Sequence, residues 1–231
     1  MLEPRIGLRQ LPGPAGLLRH GHLFTIGLLA IVAIGVSGCG SEPGDGELNG
    51  MTRNPPTVVG SASLPQGNPL STNQAGSLAG PADGYTLVYF GYTYCPDVCP
   101  TTLADLRLAL EELDEAERKR IHVAMVTVDP KRDTFEVLND YLAHFFPRAD
   151  FSTLRTTDRD RLAGVERRFG ASHRLGKPDQ EGNYDVSHTA QLYAVDRNGK
   201  VAVEWPFGTE AEAIASDLEL LLARTRDGAG A

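Results

Sequence analysis

Two cysteines stand four positions apart in the segment GYTYCPDVCP, residues 91–100. β-Branched and aromatic residues at 85–90 precede Cys95, and leucines at helical spacing follow Cys99. Near the start of a helix this spacing places both sulfurs on one face, where unbonded backbone N–H groups favour thiolates. We therefore predict two exposed thiols with lowered pKa values at a strand-to-helix turn.

Thiolates at such a turn can exchange disulfides or bind a soft metal ion. A purely structural disulfide is disfavoured, because closing so short a loop adds little stability. Dithiol oxidoreductases of the thioredoxin type usually have two residues between their cysteines, and this chain has three. The wider pair can still oxidise, and it also fits two sulfurs around one metal ion.

A metal site built on two thiolates needs a third ligand. The candidates after the cysteine segment are His122, His144, His173 and His188. His188 is favoured by its position, because it leads into a predicted strand that can hold it opposite the cysteine turn. His122 begins a buried strand, where a structural role is expected. The positions of His144 and His173 neither favour nor exclude them as the third ligand.

Strands and helices alternate around the cysteine pair. Apolar patterning predicts strands at 85–90, 121–128, 150–154, 188–195 and 200–205, and helices at 101–118, 133–146, 158–169 and 209–224. Alternation implies a parallel core, and Asn198-Gly199 predicts a late antiparallel hairpin. The predicted fold class is α/β: a three-layer fold with a mixed central sheet flanked by helices and an extra β-hairpin. This arrangement resembles the thioredoxin fold.

Local signals refine these elements. Asp133, with Glu136 three residues later, predicts the N-cap of the second helix. Residues 176–185 are polar and predict a loop, and residues 58–64 could form a short strand followed by a turn at 66–68.

The sequence of the N-terminal segment indicates a targeting signal rather than a folded domain. Residues 1–22 are basic, residues 23–36 are apolar, and Cys39 ends a segment, VSGC, that resembles a bacterial lipobox. The apolar run is shorter than the roughly 20 residues of a bilayer span. We predict a lipoprotein-type signal or anchor at 1–39 with lipid on Cys39, the alternative being an uncleaved transmembrane helix. Either one tethers the chain at the extracytoplasmic face of the cytoplasmic membrane.

Composition limits the remaining possibilities. Residues 40–56 are rich in glycine, proline and polar residues and predict a flexible linker, so the folded domain is placed at 57–231. The net charge of −8 argues against a nucleic-acid partner, which needs a basic surface. Three cysteines are too few for a disulfide scaffold.

Three segments closely resemble the Sco/SenC family: GYTYCPDVCPTTL, VDPKRDT and VSHT. That family comprises thioredoxin-like copper chaperones for the assembly of cytochrome c oxidase, and the similarity covers residues 57–225. The resemblance implies that Cys95, Cys99 and His188 bind copper, as Cu(I) or Cu(II). Two thiolates and one imidazole suit Cu(I). It also implies delivery to the dinuclear copper centre of cytochrome c oxidase subunit II, with other copper chaperones or thiol-disulfide reductases as further partners.

Other side chains are candidates to surround the copper without binding it. They are Tyr94, Asp97, Asp129 and Asp133. Tyr94 stands where many family members have histidine, and capping or turn formation would also explain the two later aspartates. Two functions stay open at this point: a copper chaperone, or a reductase that uses Cys95 and Cys99 on the copper-site cysteines of the same subunit.

Overall fold

The structure is a computed structural model that describes residues 46–73, 75–147 and 149–228. The predicted signal or anchor at 1–39, with Cys39, lies outside the described residues. Within the described part of the chain, no helix has both the length and the apolar character needed to cross a membrane.

Seven strands and five helices make up the domain. The strands are β1 (Tyr85–Gly91), β2 (Ile121–Thr127), β3 (Asp150–Leu154), β4 (His173–Leu175), β5 (Val186–His188), β6 (Leu192–Val195) and β7 (Val201–Trp205). The helices are α1 (Val98–Glu112), α2 (Glu115–Arg118), α3 (Phe135–Phe145), α4 (Arg159–Phe169) and α5 (Ala211–Gly228). The central sheet has the order β3-β2-β1-β6-β7, with β1, β2 and β3 parallel and β6 and β7 antiparallel to their neighbours. The predicted thioredoxin-like α/β fold is confirmed.

Strand β1 lies at the centre of the sheet and is buried at all seven positions. Neighbouring side chains on a strand point to opposite faces. Phe90 packs against Phe169 of α4 with ring centroids 5.2 Å apart, whereas Tyr89 faces Cys99 in α1. Helices therefore cover both faces of the sheet. The first turn of α1 lies just beyond the C-terminal end of the central strand β1.

Two helix boundaries differ from the sequence prediction. The predicted helix at 101–118 starts earlier, at Val98, and is interrupted after Glu112 because Asp114 begins a new turn. Its side chain accepts the backbone N–H of Glu117 at 2.7 Å in a capping box. The prediction that Asp133 caps α3 is wrong, since the Thr134 hydroxyl accepts the backbone N–H of Val137 at 3.2 Å.

The predicted strand at 188–195 is two strands. β5 ends at His188 and pairs only with β4 in a separate two-stranded sheet, while β6 begins at Leu192 in the central sheet. β4 was not predicted, because three residues in polar surroundings show no usable periodicity. The hairpin between β6 and β7 is confirmed, with Gly199 at a φ of 71° in its turn.

The segment before β1 is held on the domain. The backbone N–H groups of Asn49 and Gly50 donate to Asp217 at 2.7 and 2.8 Å, and Arg53 forms an ion pair with Glu204 at 2.5 Å. The predicted linker at 40–56 is therefore fixed to the domain from Asn49 onward. The possible strand at 58–64 is not formed, since its described residues make only isolated bridges.

Candidate metal centre

The turn between β1 and α1 positions both cysteines. The backbone N–H of Cys95 donates to the Tyr92 carbonyl at 3.3 Å, and the backbone N–H of Cys99 donates to the Cys95 sulfur at 3.3 Å. Cys95 is half-buried, and Cys99 is fully buried in the first turn of α1. A Cβ atom at Gly91 would lie 3.1 Å from the Cys99 sulfur, so glycine leaves room for this close approach.

His188 approaches the cysteines from the end of β5. Its Nε2 lies 3.5 Å from the Cys99 sulfur, and its Nδ1 lies 2.9 Å from the Thr189 carbonyl. That carbonyl can only accept, so the proton is assigned to Nδ1 and the Nε2 lone pair faces Cys99. The Sγ atoms of Cys95 and Cys99 and a ring nitrogen of His188 all lie within 4.8 Å of one another. Among the described residues, this is the one group of three such ligands.

Burial sets the protonation of this site. It raises the pKa of the Cys99 thiol to about 12, despite an opposing hydrogen bond from the Tyr92 backbone. Burial also lowers the pKa of His188, which keeps its imidazole neutral and able to bind a metal. The predictions of an exposed sulfur and a lowered thiol pKa are therefore wrong for Cys99, because desolvation outweighs the helix N-terminus. A metal must displace the Cys99 proton when it binds.

The other candidate histidines lie elsewhere. His122 is buried, with its two ring nitrogens 2.8 Å from Asp150 and 2.9 Å from Ser152, as expected of a structural histidine. The ring of His173 is 2.7 Å from Glu166, and His144 is exposed on α3. Only His188 of the four is brought to both cysteines.

The two aspartates of the loop between β2 and α3 form hydrogen bonds with residues that lie near the three ligands in the chain. Asp133 is fully buried and accepts hydrogen bonds from the hydroxyls of Thr93 and Thr127, both at 2.6 Å. Asp129, also fully buried, accepts the Tyr184 hydroxyl at 2.7 Å. Both hold segments that carry ligands, and a direct influence on copper stays a prediction.

Asp97 and Tyr94 border the cysteine turn. Asp97 is exposed, and its side chain does not cap α1. Tyr94 is exposed, and its ring centroid lies 5.2 Å from the guanidinium carbon of Arg132. Both residues lie at the surface beside the cysteine turn, and their influence on copper or on a partner stays a prediction.

Sequence reasoning missed Tyr89 in the wall around His188, whereas Tyr92, just before the cysteines, was a candidate to shield the metal or form part of a docking surface. The rings of Tyr89 and Tyr92 meet the imidazole edge-on, with centroids 6.1 and 5.7 Å away. Arg132 and Tyr184 were also missed. A usable signal existed for Tyr184, which is the one aromatic residue in the polar segment 176–185.

The donor set has a clear chemical preference. Two thiolates and one imidazole select soft or borderline ions such as Cu(I), and they do not suit the hard ions Mg²⁺ and Ca²⁺. Cys95 is less buried than Cys99, so the Cys95 side is the more accessible side of the site.

Comparison with known proteins gives consistent matches. The sequence model of the family SCO1/SenC matches residues 71–223. An SCO2-like protein of Rickettsia felis is 39% identical over 116 residues, which are 50% of this chain and 55% of the relative. The chain thus spans about half of the length of such relatives.

Solved structures agree. Bradyrhizobium japonicum ScoI with copper bound is 32% identical with a TM-score of 0.52, and the match covers 62% of this chain and 85% of that one. Apo Sco1 from Thermus thermophilus is 31% identical with a TM-score of 0.50, covering 63% and 80%. Because the family match extends over well more than half of its residues, this chain belongs to the SCO1/SenC family.

Proposed function

We propose that this protein is a copper chaperone that binds one copper ion through Cys95, Cys99 and His188. The observation that carries the proposal is the approach of the three ligand atoms to within 4.8 Å of one another. The copper-bound structure of the related ScoI supports the choice of metal. The donor chemistry supports it independently, since two thiolates and one imidazole suit Cu(I).

Copper is the cargo in this proposal. Cys95 is the accessible ligand, so exchange with a partner's ligands would begin at its sulfur, while the buried Cys99 releases copper last. We propose the dinuclear copper centre of cytochrome c oxidase subunit II as the destination. A tether at the extracytoplasmic face of the membrane, through lipid on Cys39 or a transmembrane anchor, would keep the domain near that partner.

A competitive Cu(I) titration tests the site. The wild-type protein should bind one equivalent, and His188→Ala, which removes a direct ligand, should weaken binding by more than the roughly 10- to 100-fold that is usual for loss of a supporting group. His144→Ala is the matched control, because His144 is exposed and does not belong to the group of three ligands. Equal affinity in the His188 variant would remove this residue from the site.

A thiol-disulfide reductase is the second candidate. It is favoured by the unequal exposure of the pair, since half-buried Cys95 can attack a partner disulfide and Cys99 can resolve the mixed disulfide. The two thiols would give up two electrons and two protons, which reduce the copper-site cysteines of the partner subunit. This reaction needs no imidazole ligand, so His188→Ala should retain reductase activity while it loses copper delivery.

Oxidase activity in a deletion strain, with and without added copper, separates the roles in the cell. Rescue by copper supports delivery of the metal. Failure of copper to rescue, together with rescue by the His188→Ala protein, supports the reductase.

A further inference from the structure

The hairpin that carries His188 is weakly built. β4 and β5 pair at only three positions, His173 with His188, Arg174 with Ser187 and Leu175 with Val186, and they form a sheet of their own. A two-stranded hairpin is marginal in water without further contacts. The position of His188 must therefore depend on side chains that fasten this hairpin to the domain.

Val186, which is buried in the core and whose carbonyl accepts the Tyr92 hydroxyl at 3.4 Å, makes one such attachment, and Tyr184 makes another. The connecting segment 176–185 is exposed at every residue except Tyr184, which lies four positions before His188. The Tyr184 hydroxyl donates to Asp129 at 2.7 Å, and its carbonyl accepts from Arg132 at 3.2 Å. The guanidinium carbon of Arg132 lies 4.1 Å from the centre of the tyrosine ring, and Arg132 also pairs with Asp129.

The residues that Tyr184 contacts lie in a loop that is anchored to the core. Asp129 and Arg132 belong to the loop between β2 and α3, which follows a fully buried strand. Asp133 of the same loop accepts the hydroxyl and backbone N–H of Thr93 in the cysteine turn. One short loop thus contacts both the segment with the cysteines and the segment with the histidine.

We propose that Tyr184 is a positioning residue for His188: its bond to Asp129 keeps the β4–β5 hairpin in the conformation that binds copper. This inference rests on the proposed function, and it adds a residue that does not itself touch the metal. Without the bond, the hairpin spends less time in place, and the apparent copper affinity falls in proportion to the lost competent fraction.

Tyr184→Phe is the discriminating variant, because it removes the hydroxyl and keeps the ring over Arg132. Tyr85→Phe is the matched control. It also removes a tyrosine hydroxyl that donates a hydrogen bond, here to the Leu221 carbonyl at 3.4 Å, and Tyr85 begins β1 at the end opposite the cysteine turn. We expect Cu(I) affinity to fall about tenfold in Tyr184→Phe, the lower end of the usual effect of such supporting groups, and to stay unchanged in Tyr85→Phe.

Two measurements show whether Tyr184 acts through His188. In a double-mutant cycle, Tyr184→Phe should have no effect on copper affinity when His188 is already alanine. In the metal-free protein, hydrogen exchange should quicken at the amides of Gly176 and Thr189, which donate to Asp185 at 2.7 Å and Ser172 at 2.9 Å. Exchange in β1 and β2 should stay slow and shows that the fold is intact.

The outcomes are separable. If the wild-type protein binds no copper, the proposed function fails, whereas the exchange data still decide whether Tyr184 holds the hairpin. Wild-type copper affinity in Tyr184→Phe would overturn the positioning role, with or without faster exchange. An equal loss in the His188→Ala background would also overturn it, because Tyr184 would then act by another route.

Discussion

The two halves of the metal centre are held in different ways. Cys95 lies in the turn after the central strand of a five-stranded sheet, and Cys99 lies in the first turn of the 15-residue helix that follows. His188 stands on a three-residue strand in a two-stranded sheet. The cysteine half is fixed by the core, whereas the histidine half is held by one buried side chain, Val186, and by a few polar and aromatic contacts.

This difference assigns the two halves of the metal centre separate roles in metal transfer. The buried Cys99 can keep the metal while exchange begins at Cys95, and the imidazole on its short strand can withdraw without unfolding the domain. Local openings of this kind are expected where few buried apolar contacts secure an element. The unequal attachment therefore suits a protein that must release its cargo.

Removing one ligand from each half gives the largest contrast. Cys99→Ala should weaken Cu(I) binding more than His188→Ala does, because it removes one of the two soft thiolates and leaves a single thiolate with an imidazole. His188→Ala should leave the weaker dithiol site described above. Competition with a chromophoric Cu(I) chelator measures both. Equal losses in the two variants would remove the distinction between the halves.

A variant that alters neither half of the metal centre tests whether overall stability affects copper binding. Arg53→Ala leaves the carboxylate of Glu204, only 2% exposed, without its ion-pair partner. Unfolding in urea should show a loss of about 2 kcal/mol, since a buried charge without a partner is costly. Copper affinity should not change. A loss of affinity would mean that overall stability, rather than local fastening, controls the site.

Much of the cysteine half could be predicted from the sequence. The strand at 85–90 and the helix after Cys99 have long, regular apolar patterns, and both are confirmed. The burial of Cys99 could not be predicted, because it depends on packing in the core beside Tyr89 of β1.

The histidine half was harder to predict. His188 was favoured by position and by family resemblance, but β4 and β5 are too short to leave a periodic signal. Tyr184 acts through contacts 52 and 55 residues away in the chain, which no local pattern encodes.

Asp133 allows the cysteine half to be loosened selectively. Burial raises the pKa of its carboxyl, while hydrogen bonds from Thr127 and Thr93 oppose the shift. Asp133→Asn replaces an acceptor oxygen by an amide donor, which should destabilise the fold by about 1–2 kcal/mol. Hydrogen exchange should quicken in the cysteine turn and not in the β4–β5 hairpin. Faster exchange in the hairpin alone would contradict the assignment of Asp133 to the cysteine half.

A variant at Asp150 should have the smallest effect on stability. Asp150 lies on the edge strand β3, beside His122 of β2. Burial opposes ionisation, but hydrogen bonds from His122 and Thr72 outweigh it and lower the pKa of Asp150 to about 2. A lowered folded-state pKa contributes stability above the usual value near 4, and this contribution is lost as pH falls towards 2. Since Asp150 is partly exposed, the contribution should be below about 1 kcal/mol. Asp150→Asn should flatten the stability curve in this pH window, and an unchanged slope would contradict the assignment.

The central claim is that two sulfurs and one imidazole nitrogen bind the same copper ion. X-ray absorption spectroscopy of the Cu(I)-loaded protein tests it most directly. We predict two sulfur ligands and one histidine nitrogen, with the nitrogen signal lost in His188→Ala and kept in His144→Ala. A spectrum with sulfur ligands alone in the wild-type protein, or a nitrogen signal that persists without His188, would contradict the account.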